Sequence, residues 1–173
     1  MPVLRIPNIA SEQIELIDLK FALLSGRDRE RLQLANGDIL LVRTNGSIDL
    51  VGRSAVVDDL PEPMALASYL IRLRFDSSTV LPAYAQRMLQ HLRVSGQLID
   101  FARTTAGQYN VSLGRLRAAK IPIPPLAQQH HIVAELDTLQ AQVDAVKKFQ
   151  VETTVELDAL LPSIFDKAFN GRL

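Results

Sequence analysis

The stretch KIPIPPLAQQHHIVAELD, residues 120–137, decides how the chain is organised. Pro122, Pro124 and Pro125 push the residues before them toward extended backbone, so no helix can run back through them. From Leu126 onward the breakers stop and a heptad pattern begins. Ile132, Leu139, Val146, Thr153 and Leu160 fall at d, and Leu136, Val143, Gln150, Leu157 and Ile164 at a, which keeps 4-3 spacing for almost five heptads. Eight of these ten positions are apolar, and the two exceptions, Gln150 and Thr153, sit together near the middle, where a polar layer can fix register. From Ile132 to Ile164 the helix makes a rod of roughly 50 Å. Pro162 predicts a kink or break before its last turn. Such a rod overhangs any core the rest of the chain can build, so its seam predicts a partner helix. The division is a front domain over 1–124 and a helical spacer over 125–173.

Composition limits what the front domain can be. A chain of 173 residues, 47% hydrophobic and 22% charged, can form one globular core plus an appendage but hardly two enzyme domains. No run reaches the roughly 18 apolar residues of a membrane span, and MPVLRIPNIASEQ lacks a secretory signal pattern, so a cytoplasmic, membrane-free protein is expected. The absence of cysteine excludes disulfides, thiolate zinc sites and cysteine nucleophiles.

The net charge of zero hides a polarity. Residues 1–124 carry 15 Lys+Arg against 12 Asp+Glu, whereas 125–173 carry 4 against 7. Between Arg72 and Lys120 eight basic residues (Arg72, Arg74, Arg87, Arg93, Arg103, Arg115, Arg117 and Lys120) face only Asp76 and Asp100. Arginine supplies 14 of the 19 cations, and its planar fork suits phosphates and guanine edges. The plainer alternative is the solvated face of a neutral protein.

The first 75 residues read as strands. Val3–Ile6 is short and apolar, and Gly37-Asp38 opens an aliphatic run from Ile39 to Thr44. Asn45-Gly46 is a strong type I′ hairpin signal, after which the chain returns through Arg53 to Val57. Asp58 to Ala67 reads as a loop. Tyr69, Ile71, Leu73 and Phe75 alternate onto one face of a strand, leaving Arg72 and Arg74 on the other. After Pro82 the period is helical, with Tyr84, Met88, Leu89 and Leu92 forming a stripe. A second short helix is expected over Gln97–Ala102, and a polar loop over Thr104–Asn110. Ser112 can cap a helix that turns Leu113 and Leu116 inward, and extended Ile121–Pro125 closes the domain. The fold class is therefore α+β, a mixed strand-rich domain followed by a long coiled-coil helix.

Catalytic patterns are poor. There is no G-x-G-x-x-G or P-loop, so neither a cofactor nor a nucleotide site is expected. Asp18-Leu19-Lys20 has no convincing second carboxylate upstream. His130 and His131 lie about 100° apart on a helix and cannot share a metal as an i, i+4 pair can. No nucleophile and base pair is found.

KIPIPPLAQQHHIVAEL, the terminal SIFDKAFNGRL, the hairpin GDILLVRTNGSIDLVGRSAVV and the loop TTAGQYNVSLGRL together resemble the DNA-specificity subunit of Type I restriction-modification systems, over almost the whole chain. The resemblance implies a target-recognition domain followed by a conserved helical region. A full-length subunit of that family holds two such units with antiparallel helices, so one unit implies a half-subunit expected to form an antiparallel homodimer. It also implies double-stranded DNA and the modification and restriction subunits as partners, with catalysis left to those partners. Two departures stand out. The chain begins at the segment corresponding to PVLRIPNI, without the family's opening of several dozen residues, and Gln128 and His131 replace a common Glu and a basic residue. The shortened front domain leaves open a different function, an interaction module that docks on specificity or modification subunits without reading DNA.

By the same resemblance, the segment after Arg43 and the 107–110 segment face DNA. Asn45, Gln108 and Asn110 can bond adenine bidentately, while Arg43 and Arg53 can fork onto guanine or hold phosphates. Thr44 and Ser47 belong to the same set. Tyr109 either stacks on a base or anchors the core, and Asn45-Gly46 has turn geometry as its plainer reading. Arg72 and Arg74 are phosphate clamps or solubilising surface groups.

Overall fold

The computed structural model describes residues 1–98, 102–105, 107–111 and 113–169. Among them the chain runs through β1 (Pro2–Leu4), a 3-10 turn (Ile6–Ile9), β2 (Lys20–Phe21), α1 (Gly26–Leu32), β3 (Ile39–Val42), β4 (Thr44–Asn45) and β5 (Ser54–Val56). It continues through β6 (Ala65–Leu66), β7 (Leu70–Leu73), α2 (Pro82–Val94), β8 (Ala102–Thr105), β9 (Gln108–Val111), α3 (Leu113–Ala118) and α4 (Leu126–Phe169). Two units result, Met1–His130 and His131–Leu173. This is the expected α+β class with a long C-terminal helix.

The first unit is organised by β3. All four of its side chains are buried, and they alternate between two cores. Ile39 and Leu41 join Val51, Ile71, Leu89 and Val111, while Leu40 and Val42 join Leu4, Ile9, Ala55 and Met64. A strand with a core on each side needs no polar face, which is why ILLV is unbroken. β3 lies between β5 and β7, antiparallel to both. A second sheet has the order β2-β1-β6, with β1 antiparallel to β2 and parallel to β6. The third, β4-β9-β8, is antiparallel throughout.

Several expectations change. The apolar start is a strand only to Leu4, because Pro7 and the buried Asn8 turn the backbone; Asn8 Oδ1 accepts from Arg5 N–H and its Nδ2 donates to the carbonyls of Glu15 and Ile17. α1 was not foreseen: Ser25 caps it by accepting from Asp28 N–H, yet none of its residues is buried. β3 and β5 do pair, but not through a two-residue type I′ turn. Asn45 belongs to β4 and pairs with Tyr109, and neither Asn45 nor Gly46 has positive φ; the left-handed residue of this connection is Gly52, φ +79°. Ala102 opens a strand instead of ending a helix, with 99–101 outside the described residues. The polar segment after it is the β8–β9 hairpin, with Gly107 at φ +81° in its turn. Cross-strand pairing holds it without apolar alternation.

In β7 and just after it, Ile71, Leu73 and Phe75 face the first core as expected, but Tyr69, before the strand, is exposed and Leu70 is buried in the second core. Tyr84, Leu89 and Leu92 of α2 are buried. In α3, Leu116 is buried but Leu113 is exposed, and the Ser112 cap lies outside the described residues. α4 continues through Pro162 to Phe169; the ring forfeits one backbone hydrogen bond without ending the helix.

The helix start is riveted by a residue that sequence patterns do not single out. Gln129 is fully buried; its Oε1 accepts from Leu81 N–H at 2.8 Å, and its Nε2 donates to Thr79 O at 2.9 Å and Pro124 O at 2.7 Å. The first turn of α4 thus belongs to the first unit.

Within the second unit the apolar a and d residues are exposed, from Leu136, 40% accessible, through Leu139, Val143, Val146, Leu157, Leu160 and Ile164. Ile132 is partly buried, and Gln150 and Thr153 are exposed with the rest of the seam. No helix among the described residues is long and apolar enough to cross a membrane.

Candidate nucleic-acid interface

Two segments distant in sequence meet in the β4-β9-β8 sheet. Thr44 lies opposite Asn110 and Asn45 opposite Tyr109, so the chain following Arg43 and the 107–110 segment are joined in one sheet. Arg43 fixes this sheet to the β3 sheet through its backbone: its N–H donates to Tyr69 O and its C=O accepts from Val111 N–H, both at 2.8 Å. Its side chain is exposed and has no hydrogen-bonded or ionic partner among the described residues.

Strand alternation divides β9. Val111 is fully buried in the first core and Tyr109 packs against it, so Tyr109 anchors the sheet. Gln108 and Asn110 take the opposite face, with Thr44 beside Asn110. The Thr44 hydroxyl donates to Asn110 Oδ1 at 3.1 Å, and Asn45 Oδ1 accepts from Ser47 N–H at 2.7 Å. Each asparagine oxygen therefore already accepts one bond, which fixes the orientation of its amide. Gln108 and Ser47 are exposed.

The other predicted site residues are elsewhere or occupied. Arg53 donates to the carbonyls of Asp49 and Ala10. Arg72 donates to Gln33 O at 2.7 Å. Arg74 forks onto the buried Asp38 carboxylate, Nε to Oδ1 at 2.6 Å and Nη2 to Oδ2 at 2.7 Å, and this hydrogen bonding holds the guanidinium pKa above its ordinary value. Asp38 also accepts from Ala35 N–H at 2.9 Å. It lies seven residues before Asn45, roughly 20 Å away along extended chain, so Arg74 does not join the Asn45–Asn110 surface.

Much of the basic run is likewise structural. Arg93 bonds Glu12 and Asp49 O, and Arg87 donates to Gln90 Oε1 at 3.0 Å. Arg117 and Lys120 remain exposed, while the side chains of Arg103 and Arg115 lie outside the described residues. Asp18 is committed to ion pairs with Lys20 at 2.9 Å and Arg5 at 3.0 Å. His131 approaches Glu135 at 3.9 Å on the helix surface. Among the described residues no group of three or more His, Asp or Glu side chains could hold a metal ion.

The model of the Type I restriction modification DNA specificity domain matches residues 29–157. The chain is 28% identical over 173 residues to the Type I restriction enzyme EcoKI specificity subunit of Escherichia coli K12, covering 99% of this chain and 37% of that protein. It is also 28% identical, over 175 residues and with the same coverage, to the StySPI specificity subunit of Salmonella potsdam. The chain thus spans little more than a third of the length of these relatives. Among solved structures, a chain from a study of complex assembly and conformational transition in the type I R-M system matches the fold over 100% of this chain and 39% of its own, with TM-score 0.74 and 24% identity. The HsdS subunit from Thermoanaerobacter tengcongensis matches 82% of this chain and 31% of its own, with TM-score 0.53 and 31% identity.

Proposed function

The chain belongs to the Type I restriction-modification DNA specificity family, and from that premise we propose that it is a non-catalytic DNA-recognition subunit, reading one half of a bipartite target with the β4-β9-β8 sheet and docking on partners through α4. The observation that carries this function is the pairing of β4 with β9, which brings the Arg43–Ser47 and Gln108–Asn110 segments, with the exposed Arg43 and Gln108 side chains, into one sheet. Those are the groups that read base edges and grip phosphates. The recognition unit extends over 1–124 and the spacer over 125–173.

The exposed a and d seam of α4 supports a partner helix, since a row of leucines and valines has no reason to stay in water. An antiparallel homodimer in the cytoplasm would give the complex two identical readers, hence a bipartite palindrome with an unread spacer. Methylation with S-adenosylmethionine and ATP-driven cleavage belong to the modification and restriction subunits in this scheme. An interaction module without DNA reading has less behind it, because the likeness to specificity subunits covers 99% of the chain, recognition unit included.

Titration of duplex DNA with the reconstituted complex, at two salt concentrations, tests the function. Affinity is expected to fall as salt rises, and Arg43→Ala to reduce both affinity and the steepness of the salt dependence. Binding indifferent to salt and to Arg43 would sink it.

A further inference from the structure

The orientation of Asn110 carries information beyond its presence at the interface. A neutral amide has an acceptor end and a donor end, and the protein takes only one of them. The Thr44 hydroxyl holds Oδ1, whereas Nδ2 of the half-buried Asn110 has no hydrogen-bond partner among the described residues. The pair is stapled from both sides of the ladder. Thr44 and Asn110 are directly opposite across β4 and β9, where side chains on one face stand closest. The strand beneath them is fixed, because Val111, the next residue, is fully buried and its N–H is bonded to Arg43 O.

Base edges in the major groove differ in what they offer to such a group. Guanine presents two adjacent acceptors, N7 and O6; adenine pairs one acceptor with the N6 amino donor, and cytosine offers its N4 donor. An amide that shows only NH2 meets guanine without conflict. Against adenine it can use N7 but sets its second N–H beside another donor. A free asparagine, by contrast, suits adenine, donating to N7 and accepting from N6.

We propose that Thr44 is a specificity-determining residue: by turning the oxygen of Asn110 sideways toward β4 it leaves the NH2 as the end that leads toward a base, so the base that Asn110 meets in the half-site is guanine and not adenine. This rests on the DNA-reading function above. Thr44 acts here as a positioning residue, and its lock is removable because it is a side chain. The oxygen of Asn45 is held instead by the backbone N–H of Ser47, which a change of side chain that keeps the N–H does not release.

The test is selection from a randomised duplex pool by the full chain reconstituted with its modification subunit, carried out on wild type, Asn110→Ala, Thr44→Val and Thr44→Ser. Comparison with Asn110→Ala identifies the position that Asn110 reads. Wild type should show guanine there with a preference of about ten-fold. Thr44→Val should admit adenine and cut that preference to within about three-fold, and Thr44→Ser, which keeps the hydroxyl, should restore it. Replacing the guanine with 7-deazaguanine should weaken wild type and leave Asn110→Ala unaffected. Adenine at that position in wild type, no position that depends on Asn110, or a preference unmoved by Thr44→Val would each overturn the role of Thr44 while leaving DNA reading intact. Should Thr44→Val not fold, the base found by wild type and the deaza substitution decide alone. A pool from which nothing is enriched would overturn the DNA-reading function itself.

Discussion

At the scale of single residues, the buried polar groups carry consequences out of proportion to their number. Gln129 uses its oxygen and both amide hydrogens inside the protein. Gln129→Ala would orphan Leu81 N–H and two carbonyls, and an unpaired buried group costs about 1–3 kcal/mol. We expect a loss of about 2–4 kcal/mol in denaturant unfolding of the first unit. Nothing local in LAQQHHIV distinguishes Gln129 from Gln128, because two of the three groups that claim it lie 48 and 50 residues earlier. Asp18 behaves differently, being a surface group. Hydrogen bonds from Lys20, foremost, and from Arg5 hold its carboxyl below the usual aspartate range. A carboxyl with a depressed pKa contributes stability that is complete above its unfolded-state pKa and disappears as pH falls through the folded one. An NMR titration should therefore place the Asp18 midpoint below the ordinary value, and Lys20→Ala should move it up.

At the scale of elements, glycines mark where backbone conformation outweighs side-chain pattern. Gly52 has φ +79°, and a Cβ there would run into the Leu98 side chain in the first core. Gly52→Ala combines left-handed strain with a collision and should destabilise by about 2–4 kcal/mol in thermal unfolding. Gly107 has φ +81° with open space around it, so Gly107→Ala should cost only about 1 kcal/mol. The order of the two, read by melting temperature, checks the packing claim independently of the strain. What could be read from the sequence follows the same division. The ILLV run and the Tyr84–Leu89–Leu92 stripe declare themselves because burial writes their patterns directly, and the α4 heptads do so by their 4-3 spacing, although that seam is exposed in the single chain. Asn45-Gly46 misleads because pairing with Tyr109, more than 60 residues later, overrides local turn chemistry. β8 and β9 pass for a loop because their polar residues carry no alternation. α1 escapes notice because, of its seven residues, only Leu32 is a large apolar side chain that packs on a core, too little to write a period. The asparagines and Arg43 were identifiable as candidates by residue type; which end of each amide is free depends on Thr44 and Ser47 and required coordinates.

At the scale of the whole molecule, α4 spans 44 residues, about 66 Å of helix, and its seam determines the assembly we propose. Val143→Asp places a charge where an apolar contact is expected, and should raise the dissociation constant of self-association at least ten-fold in sedimentation equilibrium. Changing the exposed Lys147 or Lys148, off the a and d positions, should leave it unaltered. The alternation along β9 has a further consequence, for how such a protein changes over time. Tyr109 and Val111 serve the core, whereas Gln108 and Asn110, with Thr44 opposite, contribute to neither core. Substitutions on that outward row therefore leave both hydrophobic cores untouched, and a lineage built on this scaffold can acquire a new target one residue at a time while its interior stays as it is.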